Sequence, residues 1–468
     1  MEKIISQIKE KIKSKYEEYL LKGNDFKAFE KYVKSSCDEM FLMVIKSFIE
    51  DLDNEIKLNE KREKRYVVQR EADKLLTTTL GSFRYRRTKY YDKEEKRNRY
   101  LLDEKLEIPK YEHMTQLATA RMLKIVTETS YANAGKEING KDVFSKGMIY
   151  QKIKRLNVKE DYEEKVNKRK VNELYINLDE DHVALQKSDK KNIQCKIGYV
   201  YEGKIKECKG RYKLKNKHTI CGTYLKSSGN SEFYEKINSY IRNNYDEKYL
   251  DKIIIYGDGA KWITSSEEYI DKGEFRLDKF HLMKSIMEAV KTVDHKKGTL
   301  KKNIERCIYE GNKEKLIDLF FDLVELSNKP EVIIKTKTYI INNWEAIQRT
   351  VLSIDGSGCS AEGNVSHILS ARLSQKGMGW CEHNVDVIGK LRGIQANDGD
   401  EAFDKIVDTY YCQRTHNNNK KEIIKYRYRA NPKIDINKSY VDRIQATIPD
   451  YYMKRRILKK YDEYIKYE

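Results

Sequence analysis

One stretch of the sequence reads Asp251-Lys-Ile-Ile-Ile-Tyr-Gly-Asp-Gly-Ala-Lys-Trp262. Its short, unbroken apolar run is typical of a strand buried on both faces of a sheet. The run ends in Gly257-Asp258-Gly259, and an amphipathic stretch that predicts a helix follows. In α/β sheets this order of strand, tight turn and helix places a carboxylate at the edge where such folds bind ligands. Asp258 is therefore a candidate site residue, although taken alone a turn or helix-capping role is the simpler interpretation.

The composition predicts a soluble, cytoplasmic protein with a polyanionic partner. The 468 residues suggest about two to four domains. No apolar run approaches the ~18 residues that span a bilayer, and the N-terminus lacks the apolar core of a signal peptide. Lys and Arg number 93 against 74 acidic residues, a net charge of +19, which favours nucleic acid as the partner. The cysteines form no Cys-x-x-Cys pair, so reduced thiols are expected.

The first two segments predict a helical arm and a basic ribbon. Residues 1–70 have helical apolar periodicity, typical of a self-association arm or of a plain hairpin packed on the next domain. Residues 71–112 alternate aromatic and basic side chains, which predicts β-strands. Such a ribbon suits a phosphate backbone, and a solvated sheet face is the alternative. The candidate DNA contacts here are Arg84, Arg86 and Arg87.

Residues 113–172 contain three short helical patterns, the last of which Ser145 can cap. Short helices with a basic last member are typical of a helix-turn-helix that places its third helix in the major groove. A small helical subdomain is the alternative. The candidate DNA contacts on the third helix are Lys146, Lys152, Lys154 and Arg155.

The rest of the sequence predicts an α/β core interrupted by helices. Residues 173–280 and 352–400 carry the core, whose first three strands are expected to form an antiparallel meander. Residues 281–351 have helical periodicity throughout and predict an all-α insertion. Residues 401–468 form a basic, tyrosine-rich tail.

Three acids occupy comparable places in this core: Asp179 on the first strand, Asp258 after the fourth, and Glu362 at the start of a helix. In a ribonuclease H-like sheet the first and fourth strands are neighbours, so the three carboxylates would converge. Converging carboxylates suit hard divalent cations, and two such ions can support an in-line phosphoryl transfer. For Glu362 alone, the helix dipole is a sufficient explanation.

Four motifs resemble those of a known family. They are Tyr-Ile-Asn-Leu-Asp-Glu-Asp-His (175–182), Tyr-Gly-Asp-Gly-Ala-Lys-Trp (256–262), Leu-Asp-Lys-Phe-His-Leu (277–282) and Gly-Cys-Ser-Ala-Glu-Gly-Asn-Val-Ser-His (358–367). The sequence is similar to bacterial insertion-sequence transposases of the ISLre type, which are Asp-Asp-Glu transposases related to Mutator-like enzymes. The resemblance runs from about residue 80 to about 395.

The resemblance implies a metal triad of Asp179, Asp258 and Glu362, with Asp278 and His281 as supporting residues. Asp181 lies two residues after Asp179, on the same side of the strand, and is the alternative first ligand. The implied cofactor is a pair of Mg²⁺ ions, which Mn²⁺ is expected to replace. The implied substrate is double-stranded DNA, both the terminal inverted repeats of a mobile element and its target, bound by a homo-oligomer.

The sequence thus predicts a multidomain α+β protein. A helical arm, a β-ribbon and a helix-turn-helix-like region precede a ribonuclease H-like catalytic core with an all-α insertion. The predicted function is DNA transposition by metal-dependent strand cleavage and transfer. The alternatives are a non-catalytic helix-turn-helix DNA-binding protein and a ribonuclease H-like nuclease.

Overall fold

The structure is a computed structural model of mixed α/β architecture. It describes residues 2–22, 26–140, 142–156, 158, 162, 164–186, 188–208, 211–224, 229–293, 297–353, 365–375 and 377–418. Glu362 and the predicted tail beyond residue 418 lie outside the described residues.

The N-terminal part consists of long helices followed by a three-stranded antiparallel sheet. The elements are α1 (Glu2–Lys22), α2 (Phe26–Leu58), α3 (Glu60–Glu63), β1 (Tyr66–Thr77), β2 (Ser82–Asp92), β3 (Arg97–Arg99) and α4 (Leu101–Lys105). The prediction of helix up to residue 70 is wrong at its end. Tyr66-Val67-Val68 has the aromatic and β-branched residues that favour a strand, and it pairs with the end of β2.

Three helices then follow, as predicted: α5 (Gln116–Glu128), α6 (Tyr131–Glu137) and α7 (Lys146–Lys154). Each begins where a hydroxyl side chain accepts a hydrogen bond from a free backbone N–H. The caps are Thr115, Ser130 and Ser145, with bonds of 3.1–3.2 Å. The predicted cap at Ser145 is therefore confirmed.

A five-stranded mixed sheet forms the centre. In chain order the elements are β4 (Glu173–Ala184), β5 (Asn192–Tyr201), β6 (Lys204–Cys208), β7 (Arg211–Leu214), β8 (His218–Gly222), α8 (Gly229–Asn244), β9 (Lys252–Gly257), α9 (Lys261–Thr264) and β10 (Gly273–Leu277). The strand order is β10-β9-β4-β5-β8, and β6 and β7 form a separate hairpin that the sequence did not predict. Strands β4, β5 and β8 pair antiparallel, which confirms the predicted meander, whereas β9 and β10 run parallel to β4.

The predicted all-α insertion is confirmed by five consecutive helices. They are α10 (Lys279–Lys291), α11 (Lys297–Tyr309), α12 (Lys313–Leu326), α13 (Pro330–Asn342) and α14 (Trp344–Leu352). A π-helical turn, Val365–Ser370, then leads into α15 (Ala371–Leu373), and the described chain ends with α16 (Glu382–Asp398) and α17 (Ala402–Asn418).

The two faces of the central sheet bury separate apolar cores. Ile176 and Leu178 of β4 face α8 and the insertion helices. Val183 of β4 and Ile197 of β5 face α5 to α7 together with the π-helical turn, α16 and α17. The start of the predicted tail is thus a helix packed into this second core. Of the helices that the structure describes, none combines the length and the apolar character needed to cross a membrane.

Candidate active site

Asp179 and Asp258 lie close together where the pairing between the neighbouring parallel strands β4 and β9 ends. The last paired residues of β4 and β9 are Asn177 and Tyr256. The same register, continued by two residues on each strand, brings Asp179 opposite Asp258. Because side chains alternate along a strand, Asp179 belongs to the face that carries Asn177, and Asp258 lies close enough for its charge to act on Asp179. The predicted adjacency of the two strands is therefore confirmed.

The turn after β9 depends on its two glycines. A Cβ atom on Gly257 would overlap Ile263 Cγ2 of α9. Gly259 has a φ of +89°, a conformation that L side chains rarely adopt, and a Cβ there would lie 3.0 Å from Asn343 Oδ1. Asp258 Oδ1 accepts a hydrogen bond from Ala260 N at 2.9 Å, as in an Asx-turn. Asp258 therefore shapes the turn while its carboxylate remains at the sheet edge.

The surroundings of Asp179 disfavour the ionised form of its carboxyl group, because the nearby positive charge does not offset burial and the charge of Asp258. Burial raises the pKa of Asp179 to about 6, and the negative charge of Asp258 acts in the same direction. The Glu180 N–H donates to Asp179 Oδ1 at 2.8 Å, and the charge of His281 also favours the ionised form, but neither offsets the burial. A carboxyl group whose ionisation is penalised at a sheet edge is typical of a functional site.

Asp278 and His281 border this acid pair. Asp278 follows β10, whose Leu277 pairs with Gly257, so Asp278 lies at the same sheet edge as Asp258. Its Oδ1 accepts from Phe280 N at 3.1 Å and caps α10, and its Oδ2 lies 3.7 Å from His281 Nε2. The imidazole therefore lies beside Asp278 and interacts electrostatically with Asp179. A supporting role for both residues stays a prediction.

Asp181 has different surroundings from Asp179. It is buried, and its Oδ1 accepts a hydrogen bond from Ser374 Oγ at 3.0 Å. Burial raises its pKa, while the hydrogen bonds from Ser374 and Ser370 oppose that rise. The carboxyl group therefore connects β4 to the segment that follows the π-helical turn.

That segment, Val365–Gln375, is fixed by several bonds. Arg392 Nε donates to the Ile368 carbonyl at 2.7 Å, and Trp380 Nε1 donates to the Leu373 carbonyl at 2.9 Å. A π-helical turn is an irregularity found frequently at functional sites. Val365 belongs to the core that contains Val183 of β4.

The insertion contributes two residues that the sequence did not indicate. Tyr339 Oη donates to the Asp258 carbonyl at 2.7 Å, and burial together with the charges of Asp258 and Asp278 raises its pKa. Asn343, one helical turn later, donates to the Tyr339 carbonyl at 2.8 Å and contacts Gly259. Helix α13 therefore supports the turn that carries Asp258. In the sequence, the only relation between Tyr339 and Asn343 is their spacing of four residues, which by itself does not indicate a site.

The donor chemistry of this edge fits a hard divalent cation. Asp179 and Asp258 offer carboxylate oxygens, and a cation would favour the charged form of Asp179, which burial disfavours. Within the described residues, no three Asp, Glu, His or Cys side chains form a group that could hold a metal ion. Glu362, the third predicted ligand, lies outside that part of the chain.

Two of the predicted DNA contacts are wrong. Lys152 is buried and its Nζ lies 2.6 Å from Glu112 Oε1, while burial lowers its pKa to about 8. Arg87 forms an ion pair with Asp103, and its guanidinium stacks 3.6 Å from the centre of the Tyr100 ring. Both cations neutralise buried acids inside the fold and cannot reach a phosphate.

The remaining predicted DNA contacts are exposed at the surface. They are Arg84, Arg86, Lys146, Lys154 and Arg155. Among them, Arg86 lies 3.6 Å from Glu71, a solvent-exposed pair that holds it only weakly. These five cations stay predictions as DNA contacts.

Comparison with known proteins places this chain in a family. It is 35% identical over 384 residues to UPF0236 protein TTE2489 of Caldanaerobacter subterraneus subsp. tengcongensis, which covers 81% of each chain. It is 34% identical over 388 residues, 82% of this chain and 81% of the relative, to a protein of the same organism whose name joins eleven loci from TTE0033 to TTE2212. It is 28% identical over 242 residues to the UPF0236 protein in the vanSb 3′ region of Streptococcus gallolyticus, 49% and 51% of the two chains. The family model covers residues 20–408, and the chain therefore belongs to UPF0236, a family described as uncharacterised.

Proposed function

We propose that this protein is a DNA transposase with a ribonuclease H-like core, which binds the ends of a mobile element and catalyses metal-dependent strand cleavage and transfer. The observation that carries the proposal is the acid pair of Asp179 and Asp258, each two residues past the last paired residues of β4 and β9. Phosphoryl transfer requires mainly positioning and neutralisation of developing charge.

The topology of the central sheet supports this proposal. A ribonuclease H-like sheet begins with an antiparallel meander, and its fourth and fifth strands lie beside the first strand and parallel to it. The order β10-β9-β4-β5-β8 has this arrangement. Helices cover both faces, and the insertion α10 to α14 lies between the second predicted acid and the third.

Glu362 is the third acid in this proposal. Val365, three residues later in sequence, packs in the core beside Val183 of β4. Ser374, at the end of the same segment, is bonded to Asp181. The segment after Glu362 is thus attached to the strand that carries Asp179.

Each residue then has a defined task. Asp179, Asp258 and Glu362 would hold two Mg²⁺ ions, which would supply Lewis-acid chemistry at the scissile phosphate. Tyr339 fixes the backbone of Asp258 through its carbonyl. His281, 3.7 Å from Asp278 Oδ2, would when protonated reduce the repulsion between the acids and the approaching phosphate.

The relatives add a separate argument. One relative's name joins eleven loci of a single organism. Several near-identical genes in one genome are what a mobile element leaves when it copies itself. The excess of basic residues, with a net charge of +19, suits a DNA partner.

The decisive experiment is incubation of the purified full chain with a labelled end of its own element and Mg²⁺. A transposase cleaves at the end and joins the freed 3′ end to target DNA, and both products disappear with EDTA and in Asp258→Asn. Cleavage without joining would identify a nuclease. Specific binding without cleavage would identify a non-catalytic DNA-binding protein and overturn the proposal.

A further inference from the structure

Helix α2 carries an apolar stripe that is partly exposed to solvent. The stripe consists of Cys37, Phe41, Val44 and Phe48, and the two phenylalanines are 47% and 45% exposed. Spacings of four, three and four place these residues on one side of a helix at about 100° per residue. We call this set the α2 stripe.

The neighbouring faces of α2 are already used. Phe29 stacks on Tyr19 of α1 with ring centres 5.4 Å apart. Ile45 and Leu52 pack on the core of the N-terminal sheet, around Leu76 and Tyr85. The α2 stripe lies between these two contacts, so the remaining groove is bounded on both sides.

We propose that the α2 stripe docks on the same stripe of a second copy of this chain, with the two α2 helices antiparallel. The 4-3-4 spacing is that of the a and d positions of a coiled coil, which pack against an identical helix. In the antiparallel arrangement Phe41 meets Val44 of the second copy, and Cys37 meets Phe48. A large side chain then faces a smaller one in every layer.

Charge complementarity selects this orientation. Lys34 and Asp51 occupy the next positions at the two ends of the stripe, and both are exposed. Antiparallel pairing sets Lys34 of each copy against Asp51 of the other, whereas parallel pairing sets like charges together. Asp51 accepts only a long bond of 3.5 Å from Ser47. One layer further out, Glu30 would meet Glu55, which limits the paired region to residues 34–51.

This surface is independent of the proposed catalytic function, and it is tested without DNA or metal. The measurement is the mass of the full chain by analytical ultracentrifugation over a range of concentrations. A two-heptad seam is short, so we expect a reversible monomer–dimer equilibrium. Phe41→Glu should raise the dissociation constant at least about 100-fold, since an isologous interface contains each substitution twice.

Two further variants test specificity and charge. Met43→Glu is the matched control, because Met43 is 39% exposed on another face of the same helix, and it should dimerise like the original chain. Lys34→Glu should weaken the dimer, and Lys34→Glu combined with Asp51→Lys should restore it. Circular dichroism of each variant checks that its helices are retained.

Orientation is tested by oxidation in a Cys208→Ser/Cys359→Ser/Cys381→Ser/Cys412→Ser background, which removes the two thiols that are exposed among the described residues, the partly exposed Cys381 and the undescribed Cys359. Antiparallel helices keep the two Cys37 residues ~16 Å apart along the axis, beyond disulfide reach. A Cys37–Cys37 disulfide would overturn the antiparallel arrangement. A chain that stays monomeric, or a Phe41→Glu variant that dimerises unchanged, would overturn the surface itself.

Discussion

Replacement of Asp179 by Asn is expected to stabilise the folded protein at neutral pH. Burial, assisted by Asp258, raises the pKa of Asp179 to about 6 from an ordinary 3.8. A carboxyl group with a higher pKa in the folded state is penalised when it ionises there. This penalty is absent below the unfolded pKa, grows between the two values and is complete above about pH 6. Asn retains the shape and still accepts the 2.8 Å bond from Glu180 N.

The magnitude follows from the two pKa values. The difference between about 6 and 3.8 corresponds to ~3 kcal/mol of folding free energy at pH 7, at 1.36 kcal/mol per pKa unit. Solvent at the partly exposed site reduces this figure, so we expect a gain of about 1–3 kcal/mol for Asp179→Asn at pH 7. Most of the gain should disappear by pH 4, where the original carboxyl group is protonated in the folded state and already partly protonated in the unfolded state.

The assay is urea unfolding at pH 7 and at pH 4 in EDTA, for the original chain and for Asp179→Asn. Asp251→Asn is the control, because Asp251 is exposed at the opposite end of β9 and should change stability by less than ~0.5 kcal/mol. Added Mg²⁺ should stabilise the original chain and leave Asp179→Asn unchanged. Destabilisation of Asp179→Asn by more than about 1 kcal/mol at pH 7 would mean that Asp179 is a structural residue, and it would refute the reasoning.

Four other substitutions separate chemistry, support, stability and DNA binding. Asp258→Asn should abolish cleavage while a gel-shift assay on the same DNA shows unchanged binding; loss of both would return Asp258 to a purely structural role. His281→Ala should slow strand cleavage ~10–100-fold without abolishing it, and an unchanged rate would contradict a supporting role. Lys152→Ala should destabilise the fold by about 1–3 kcal/mol in urea unfolding, because buried Glu112 loses one of its two cationic partners and keeps Arg414 at 2.8 Å. Lys154→Ala should keep the stability and lower the salt dependence of DNA binding by ~1 in log–log slope, whereas an unchanged slope would remove Lys154 from the interface.

The central sheet could be predicted because its strands are short apolar runs bounded by turn residues. The run before Gly257 is buried on both faces, so its composition alone indicates a central strand. The insertion was equally clear from its helical periodicity. The β6–β7 hairpin was not, because its residues are mostly exposed and lack the alternation that a half-buried strand shows.

It was harder to predict which basic residues contact DNA. A Lys or Arg side chain can be buried when an acidic partner, distant in sequence, pairs with it inside the fold. Lys152 and Lys154 both lie near the end of α7, in similar basic surroundings. Only Lys152 points to Glu112, which lies forty residues earlier and faces the same core. Local sequence gives no indication of that contact. Residues 113–172 also make contacts that local sequence does not indicate, since Ile149 shares a core with Val183 of β4. DNA binding is therefore best measured on the full chain.

Asp179 and Asp181 are two acids that the sequence alone could not distinguish. Both acids lie on one strand and point to one face, so composition and spacing treat them alike. The structure separates them by their neighbours. Asp258 raises the pKa of Asp179. Asp181 lies two residues further along β4 and accepts a hydrogen bond from Ser374. Asp181 thus has a hydroxyl donor for Oδ1, although its buried Oδ2 has no hydrogen-bond partner among the described residues, whereas Asp179 faces another carboxylate. The same bond attaches β4 to the segment that follows Glu362, so Asp181 is suited to position the third acid and Asp179 to act with Asp258.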